Sequence, residues 1–534
     1  MQESQTAPCG NHRFHRKPVQ DVDTCLSLHC SNSDNGSIGT HSSGWISEPY
    51  CTLESFSANG CHQVSNSPST VSFSPSGSPT SPNDSQSYPD PCLSPEKAPC
   101  SPLKKSCLSE DVNHKIQELE SLMLAPDPDI LGLYEKSFTG GPTQISWETG
   151  RWKKITEMIS QGDLKEVLIA CAKAVSENDI LTAEWLISEL RSMVSVSGEP
   201  IQRLGAYILE GLVARFAQSG SAIYKALSCN EPASPDLLSY MLQLYEMCPY
   251  FKFGYMSANG AIAEAMKDED RVHIIDFQIA QGSQWISLIQ ALAARPGGPP
   301  HICITGIDDS TSAFARGGGL DIVAKRLSKL AQMCNVPFEF HSVDVSASEV
   351  GSENLGVQPG EALAVNFALM LHHMPDESVT TQNHRDRILR LVRSLSPRVV
   401  TLVEQESNTN TAPFFPRFLE TLHYYLAIFE SIDVALPRKH KDRINVEQHC
   451  LARDIVNIIA CEGAERVERH ELLGKWRSRF TMAGFTPYPL SPLVNATIKT
   501  LLASCCDCYT LEERDGALYL GWMNKALIAS CAWQ

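Results

Sequence analysis

The chain has 534 residues, 43% of them hydrophobic and 20% charged, with a formal net charge of -17. That balance supports a sizeable buried core and excludes a protein coated in base for indiscriminate nucleic-acid binding, so any contact with nucleic acid is local or made through a partner. No window holds the roughly 18 uncharged apolar residues of a membrane span, and MQESQTAPCGNHRFHRKPVQ lacks a signal-peptide core, so a soluble intracellular protein with no membrane association is expected.

From about 26 to 107 the chain is rich in Ser, Pro, Asn and Gly and shows no sustained period. Such a segment cannot bury enough apolar area to offset backbone entropy, and disorder is expected. Ser94 and Ser101 open SPEK and SPLK, sites suited to proline-directed phosphorylation as well as to a plain solvated linker. In VNHKIQELESLMLAPDPDI, Ile116, Leu119 and Met123 share a helical face that Pro126 and Pro128 end. An isolated helix this short is marginal in water, so it folds on a partner or serves as an inert linker.

Near Gly162 the texture becomes helical. Asp163 is placed to cap a helix bearing Leu164, Val167, Leu168, Cys171 and Val175 on one face, with Glu166 three residues on. Asn178 and Asp179 turn the chain into a second helix. Further helices are predicted in PIQRLGAYILEGLVARFAQ, PDLLSYMLQLYEMCPYFKFGY and SANGAIAEAMK, making a helical cap whose apolar stripes read as core.

From Arg271 strands alternate with helices: RVHIIDF, HICITGIDD, FEFHSVD, ALAVNFALML and RVVTLVEQES. Nearly continuous apolar strands imply burial on both faces and hence a parallel sheet between helices. Asp515-Gly516 between two strand-like runs in YTLEERDGALYLGW marks a tight hairpin at an antiparallel edge. The expected fold is therefore α/β: a doubly wound, methyltransferase-like Rossmann sheet with an antiparallel C-terminal hairpin, plus a helical cap. The expected boundaries are a regulatory tail over 1–154 and a domain over 155–534, with the cap in 155–268 and the α/β core in 269–534.

In such a sheet, ligands sit beyond the carboxyl ends of the strands. Asp276 ends the first strand, and Asp308 and Asp309 end the second, where an acid commonly holds a ribose. The intervening DFQIAQGSQW has Gln278 and Ala280 where glycines would let a phosphate approach, and only Gly282 remains. The expectation is that no cofactor binds and that Asp276 caps the next helix; a small-molecule or S-adenosylmethionine site at Asp276, Gly282 and Asp308 is the competing reading. After the fourth strand, NFALMLHHMPDES offers Asn366, His372 and His373, adjacent histidines expected to point different ways. No phosphate-binding loop, nucleophile elbow or HExxH occurs, so no catalytic residue is assigned.

The 19 cysteines are scattered, which suits buried thiols better than a disulfide framework. Cys505, Cys506 and Cys508 lack the paired spacing that closes a zinc tetrahedron, and no metal site is expected. Two basic clusters stand out against the acidic total. Arg438, Lys439, Lys441 and Arg443 could serve nuclear import, and Arg466, Arg469, Lys475, Arg477 and Arg479 are candidates for DNA contact, unless they are solvated surface paired with Glu465, Glu468 and Glu471.

In order, these motifs resemble the GRAS family of plant regulators: a leucine-rich part within 163–258, VHIID at 272–276, a second leucine-rich part near 318–336, PFFPRFLE at 413–420, RVER at 466–469 and CAW at 531–533, together covering about 155–534. Phe415 stands where the family has Tyr, and Cys531 replaces the usual Ser. No DELLA-type segment is present; ELESLMLAPDPDI is similar to the tail motif of the phytochrome-signalling, scarecrow-like branch. The resemblance implies a non-enzymatic transcription regulator of plant development and of light or hormone signalling, in the nucleus and also the cytoplasm. It implies action through transcription factors and other GRAS proteins, homo- or heterodimers, and in some members direct DNA contact.

Overall fold

The structure, a computed structural model, describes residues 144–218, 234–308 and 319–534. Ser94, Ser101, the Ile116 segment and Asp309 lie outside them.

Five strands rich in β-branched and other apolar residues pair in parallel: Arg271–Asp276 (β1), His301–Ile307 (β2), Phe338–Val343 (β3), Ala362–Ala368 (β4) and Val399–Gln405 (β5). β4 is buried along its whole length, as expected of a strand covered on both faces. The sheet continues through β6 (Pro487–Tyr488), β7 (Tyr509–Arg514), β8 (Ala517–Trp522) and β9 (Lys525–Trp533) in the order β3-β2-β1-β4-β5-β9-β8-β7, with β6 also on β9. β9 is antiparallel to β5, and β7 and β8 form the expected hairpin. Its corner residues Asp515 and Gly516 both have positive φ, 54° and 73°, the mirror-image turn that matches strand twist. The edge strands β3 and β7 carry the polar side chains that discourage further pairing.

The early helices are Gln144–Gln161 (α1), Leu164–Ser176 (α2), Ile180–Met193 (α3), Pro200–Phe216 (α4), Ser234–Met247 (α5) and Pro249–Ala265 (α6). The Asp163 and Asp179 side chains cap α2 and α3 by accepting from the Glu166 and Thr182 amides. The break between α5 and α6 differs from expectation: it falls at Pro249, and the helix then runs through Ser257 and Gly260. Proline has no amide hydrogen to give an earlier turn but suits the first turn of a new helix. Gly260 lies within the helix, and its missing Cβ lets α6 come close to a later helix; a Cβ there would meet Val494 Cγ2 at 2.6 Å.

Between strands run Ser283–Ala293 (α7), Leu320–Met333 (α8) and His384–Ser394 (α9). After β5 come Phe414–Asp433 (α10), Lys441–Val446 (α11), a π turn over Glu447–Leu451 and Ala452–Ala460 (α12), with α10 and α12 packed on α4. Leu473–Met482 (α13) and Pro492–Leu502 (α14) precede the final strands. A buried ionic knot fastens the late helices to the early ones. Arg203 of α4 donates from Nε to Glu447 at 3.0 Å, and Arg443 of α11 pairs with the same carboxylate. All three side chains are fully buried. Arg438 pairs with Asp433 and Glu199, so Arg443 and Arg438 of the first basic cluster are engaged in holding the fold.

Candidate functional site

The end of β1 is where the competing reading of the sequence would place a cofactor. Asp276 is buried there and does not cap α7, whose N-cap position is Gly282 with no side-chain bond. Its carboxylate instead accepts hydrogen bonds from Trp285 Nε1 at 2.8 Å, Asn366 Nδ2 at 3.2 Å and the Gln278 amide at 3.2 Å. Burial pushes its pKa up to about 6, against the opposing pull of those donors. Asn366 completes the network by accepting from Thr401 Oγ1 at 2.8 Å and exchanging bonds with Gln284, which in turn bonds Asn259 of α6. The acid is thus consumed by the protein's own donors.

The loop after β1 contains two residues with positive φ. Ala280 has a φ of 45° and Gly282 a φ of 66°, and a Cβ on Gly282 would lie 2.8 Å from Val323 Cγ1 of α8. Gly282 therefore serves the approach of α8. The Asp308 amide donates to the Val343 carbonyl at 3.2 Å, continuing the β2–β3 edge.

A cleft of about 110 Å³ remains at the β1/β4 switch point. Gln278, Ala280 and Ser283 line it from below with Leu369 and Gln405, and Tyr245, Tyr255, Tyr424 and Tyr425 roof it from the cap helices. Its enclosed space is smaller than the roughly 300–1,000 Å³ typical of ligand pockets.

His372 and His373 form one wall. They were expected to diverge, but the tight turn Leu371–His373 brings both rings toward Glu468. His372 Nδ1 lies 2.6 Å from Glu404 Oε2, and its ring stacks 4.3 Å from that of His470. Burial opposes a proton on His372, yet Glu404 and Glu468 prevail and push its pKa up to about 10. His470 is driven well below the usual value by burial and by His372 beside it. Nothing in the sequence announced this grouping, because Glu468 read as a partner for the neighbouring arginines and two of its three histidines, His372 and His373, lie on a distant turn of the chain.

The second basic cluster surrounds this knot. Arg466 donates to the Thr409 and Asn410 carbonyls at 2.7 and 2.8 Å, and Arg469 donates to the Arg466 carbonyl at 2.7 Å. Arg479 is spread over Glu471, Glu377 and Asp386 at 3.2, 2.8 and 3.0 Å. These three guanidinium groups are buried and turned inward, which removes them from any phosphate in this conformation. Lys475, bonded to Thr411 Oγ1 at 3.1 Å, and Arg477, 3.7 Å from Asp515, are the half-exposed members. Buried Arg385 also donates to the Met374 and Arg469 carbonyls, at 2.9 and 3.1 Å. The RVER motif is thereby structural.

The other motifs are equally structural. Arg417 of PFFPRFLE donates to the Ile458 carbonyl at 3.0 Å, and Glu420 accepts from Lys525 at 3.0 Å. Trp533 Nε1 lies 3.3 Å from Cys531 Sγ. The ten cysteines of the described residues are free thiols.

The GRAS domain family model matches residues 164–534. Over 434 residues, 80% of this chain and 88% of the other, the chain is 71% identical to the Scarecrow-like transcription factor PAT1 of Arabidopsis thaliana. It is 64% identical to the Chitin-inducible gibberellin-responsive protein 2 of Oryza sativa subsp. japonica over 81% of this chain and 79% of that one. The crystal structure of SCL7 in Oryza sativa superimposes with a TM-score of 0.60 at 34% identity, covering 70% of this chain and 99% of that chain. The motifs, the sheet order and these relatives agree: the chain belongs to the GRAS domain family and is a scarecrow-like plant regulator of transcription.

Proposed function

We propose that this regulator works by docking protein partners on its helical cap and α/β unit, without catalysis at the former cofactor end of the sheet. The observation that carries this reading is Asp276: the acid best placed for a ligand already accepts three internal hydrogen bonds beside a cleft of about 110 Å³. The partners are transcription factors and other GRAS proteins, in homo- or heterodimers. The 71% identity to a protein named as a scarecrow-like transcription factor, together with the ELESLMLAPDPDI segment, supports a place in the phytochrome-signalling branch and residence in nucleus and cytoplasm. Ser94 and Ser101 are the phosphorylation sites this reading offers in the N-terminal segment.

Two measurements test it. Titration calorimetry with S-adenosylmethionine and S-adenosylhomocysteine is expected to show no heat of binding, and micromolar binding abolished by Asp276→Ala would establish the competing cofactor reading. Crosslinking and purification from plant nuclear extract is expected to recover DNA-binding transcription factors with the full chain. Recovery of none would remove the docking role.

A further inference from the structure

Behind the cleft wall, Glu468 is almost fully buried, and neither its oxygens nor His470 Nε2 make a hydrogen bond of good geometry, although His372, His373 and His470 surround the carboxylate. A buried ionised carboxylate calls for a cation held at close range. Its nearest polar atoms are imidazole nitrogens: His372 Nε2 at 3.4 Å and His470 Nε2 at 3.6 Å, both from Oε2. These exceed good hydrogen-bond lengths. They match instead the roughly 3.3 Å edge of a tetrahedron whose metal–ligand bonds are about 2.0–2.1 Å. Outer partners hold the ligands as well. Glu404 is 2.6 Å from His372 Nδ1, Thr409 Oγ1 is 3.1 Å from His470 Nδ1, and His373 Nε2 is 3.4 Å from the second oxygen of Glu468. Carboxylates and hydroxyls on the far nitrogen are what fix a metal-binding imidazole.

We propose that His372, Glu468 and His470 bind a zinc ion through His372 Nε2, His470 Nε2 and Oε2 of Glu468. Two imidazoles and one carboxylate suit zinc better than magnesium or calcium, which favour all-oxygen shells. The ion displaces to solvent the proton that Glu404 and Glu468 otherwise keep on His372, takes its place as the positive charge facing Glu468, and fastens the turn after β4 to the RVER segment. His372 and His373 face the cleft, which gives the ion an entry path. A second cluster, His273, Cys303 and His341, is the weaker candidate, since both His273 nitrogens already meet Glu361 and Thr305 at 2.8 Å.

The test uses the full-length chain, stripped with chelator, dialysed against zinc, desalted and assayed for metal by mass spectrometry. About one retained zinc per folded chain is expected, falling to less than about a tenth in Glu468→Gln and His470→Gln and unchanged in His341→Ala. X-ray absorption on the wild-type protein decides the ligands even where those variants misfold: only nitrogen and oxygen at about 2.0–2.1 Å is expected, with no sulfur near about 2.3 Å. Folded wild-type protein that retains no zinc, a sulfur shell, or zinc retained in folded Glu468→Gln and His470→Gln would overturn the site.

Discussion

At the scale of single residues, Asp276 shows how a side chain can keep its place and change its work. Its position was legible as an acid closing the first apolar strand. Its bonding was not, because Asn366 and Trp285 reach it from another strand and from the face of α7. The displacement from 3.8 to about 6 has a sign that can be checked. A carboxyl raised by folding holds its proton in the native state while the unfolded chain has released it, so native stability grows as pH falls from about 6 toward about 4 and is reduced above about 6. The displacement is worth about 3 kcal/mol. Asp276→Asn is expected to erase this slope, so that urea unfolding at pH 4.5 and pH 7 differs less in the variant than in the wild type. Parallel pH profiles for the two would show that Asp276 titrates normally.

At the scale of elements, the five parallel strands and the hairpin were legible as short, bounded runs, whereas β6 and β9, the strand that joins β5 to β8, were not read. Helices in the cap were harder. The break at Pro249 was missed because the Ser-Ala-Asn-Gly stretch after it looked like the stronger interruption, whereas that stretch is helical and its glycine admits Val494 of a later helix. The contribution of α10 to α12 to the cap surface was invisible to local pattern, since it rests on α4, more than two hundred residues away in the chain. The joint between them depends on Glu447, shared by Arg203 and Arg443. Glu447→Gln leaves buried Arg443 without a countercharge and Arg203 with Asp433 alone, and is expected to lower unfolding free energy by about 3–5 kcal/mol, measured by chemical denaturation. A loss under about 1 kcal/mol would mean that the Asp433 carboxylate and the surrounding carbonyls suffice to hold both arginines.

At the scale of the whole molecule, the acidic total and the ordered motifs were sufficient for family and architecture, whereas the site was not. Charge read along a sequence counts arginines without saying which face outward, and in this chain Arg466, Arg469 and Arg479 neutralise internal acids and carbonyls. Direct contact with DNA, if this chain makes it through the RVER region, falls to Lys475 and Arg477. Reversing both to Glu is expected to weaken DNA binding and to flatten its dependence on salt by about two in logarithmic slope, roughly one for each lost phosphate contact. Arg479→Glu is expected to lower the melting temperature instead. An unchanged salt slope in folded Lys475→Glu, Arg477→Glu protein would leave contact with DNA to the partners alone.

The place of β9 between β5 and β8 also bears on how the chain is made. The ribosome releases β1 to β5 with their intervening helices long before Lys525–Trp533 exists, so the parallel half waits with the free side of β5 open to any passing strand. The sheet can be completed only once Lys525–Trp533 has been made. A message truncated ahead of codon 525 yields a nascent chain with a sticky, unfinished edge, the kind of product that chaperones and proteases recognise.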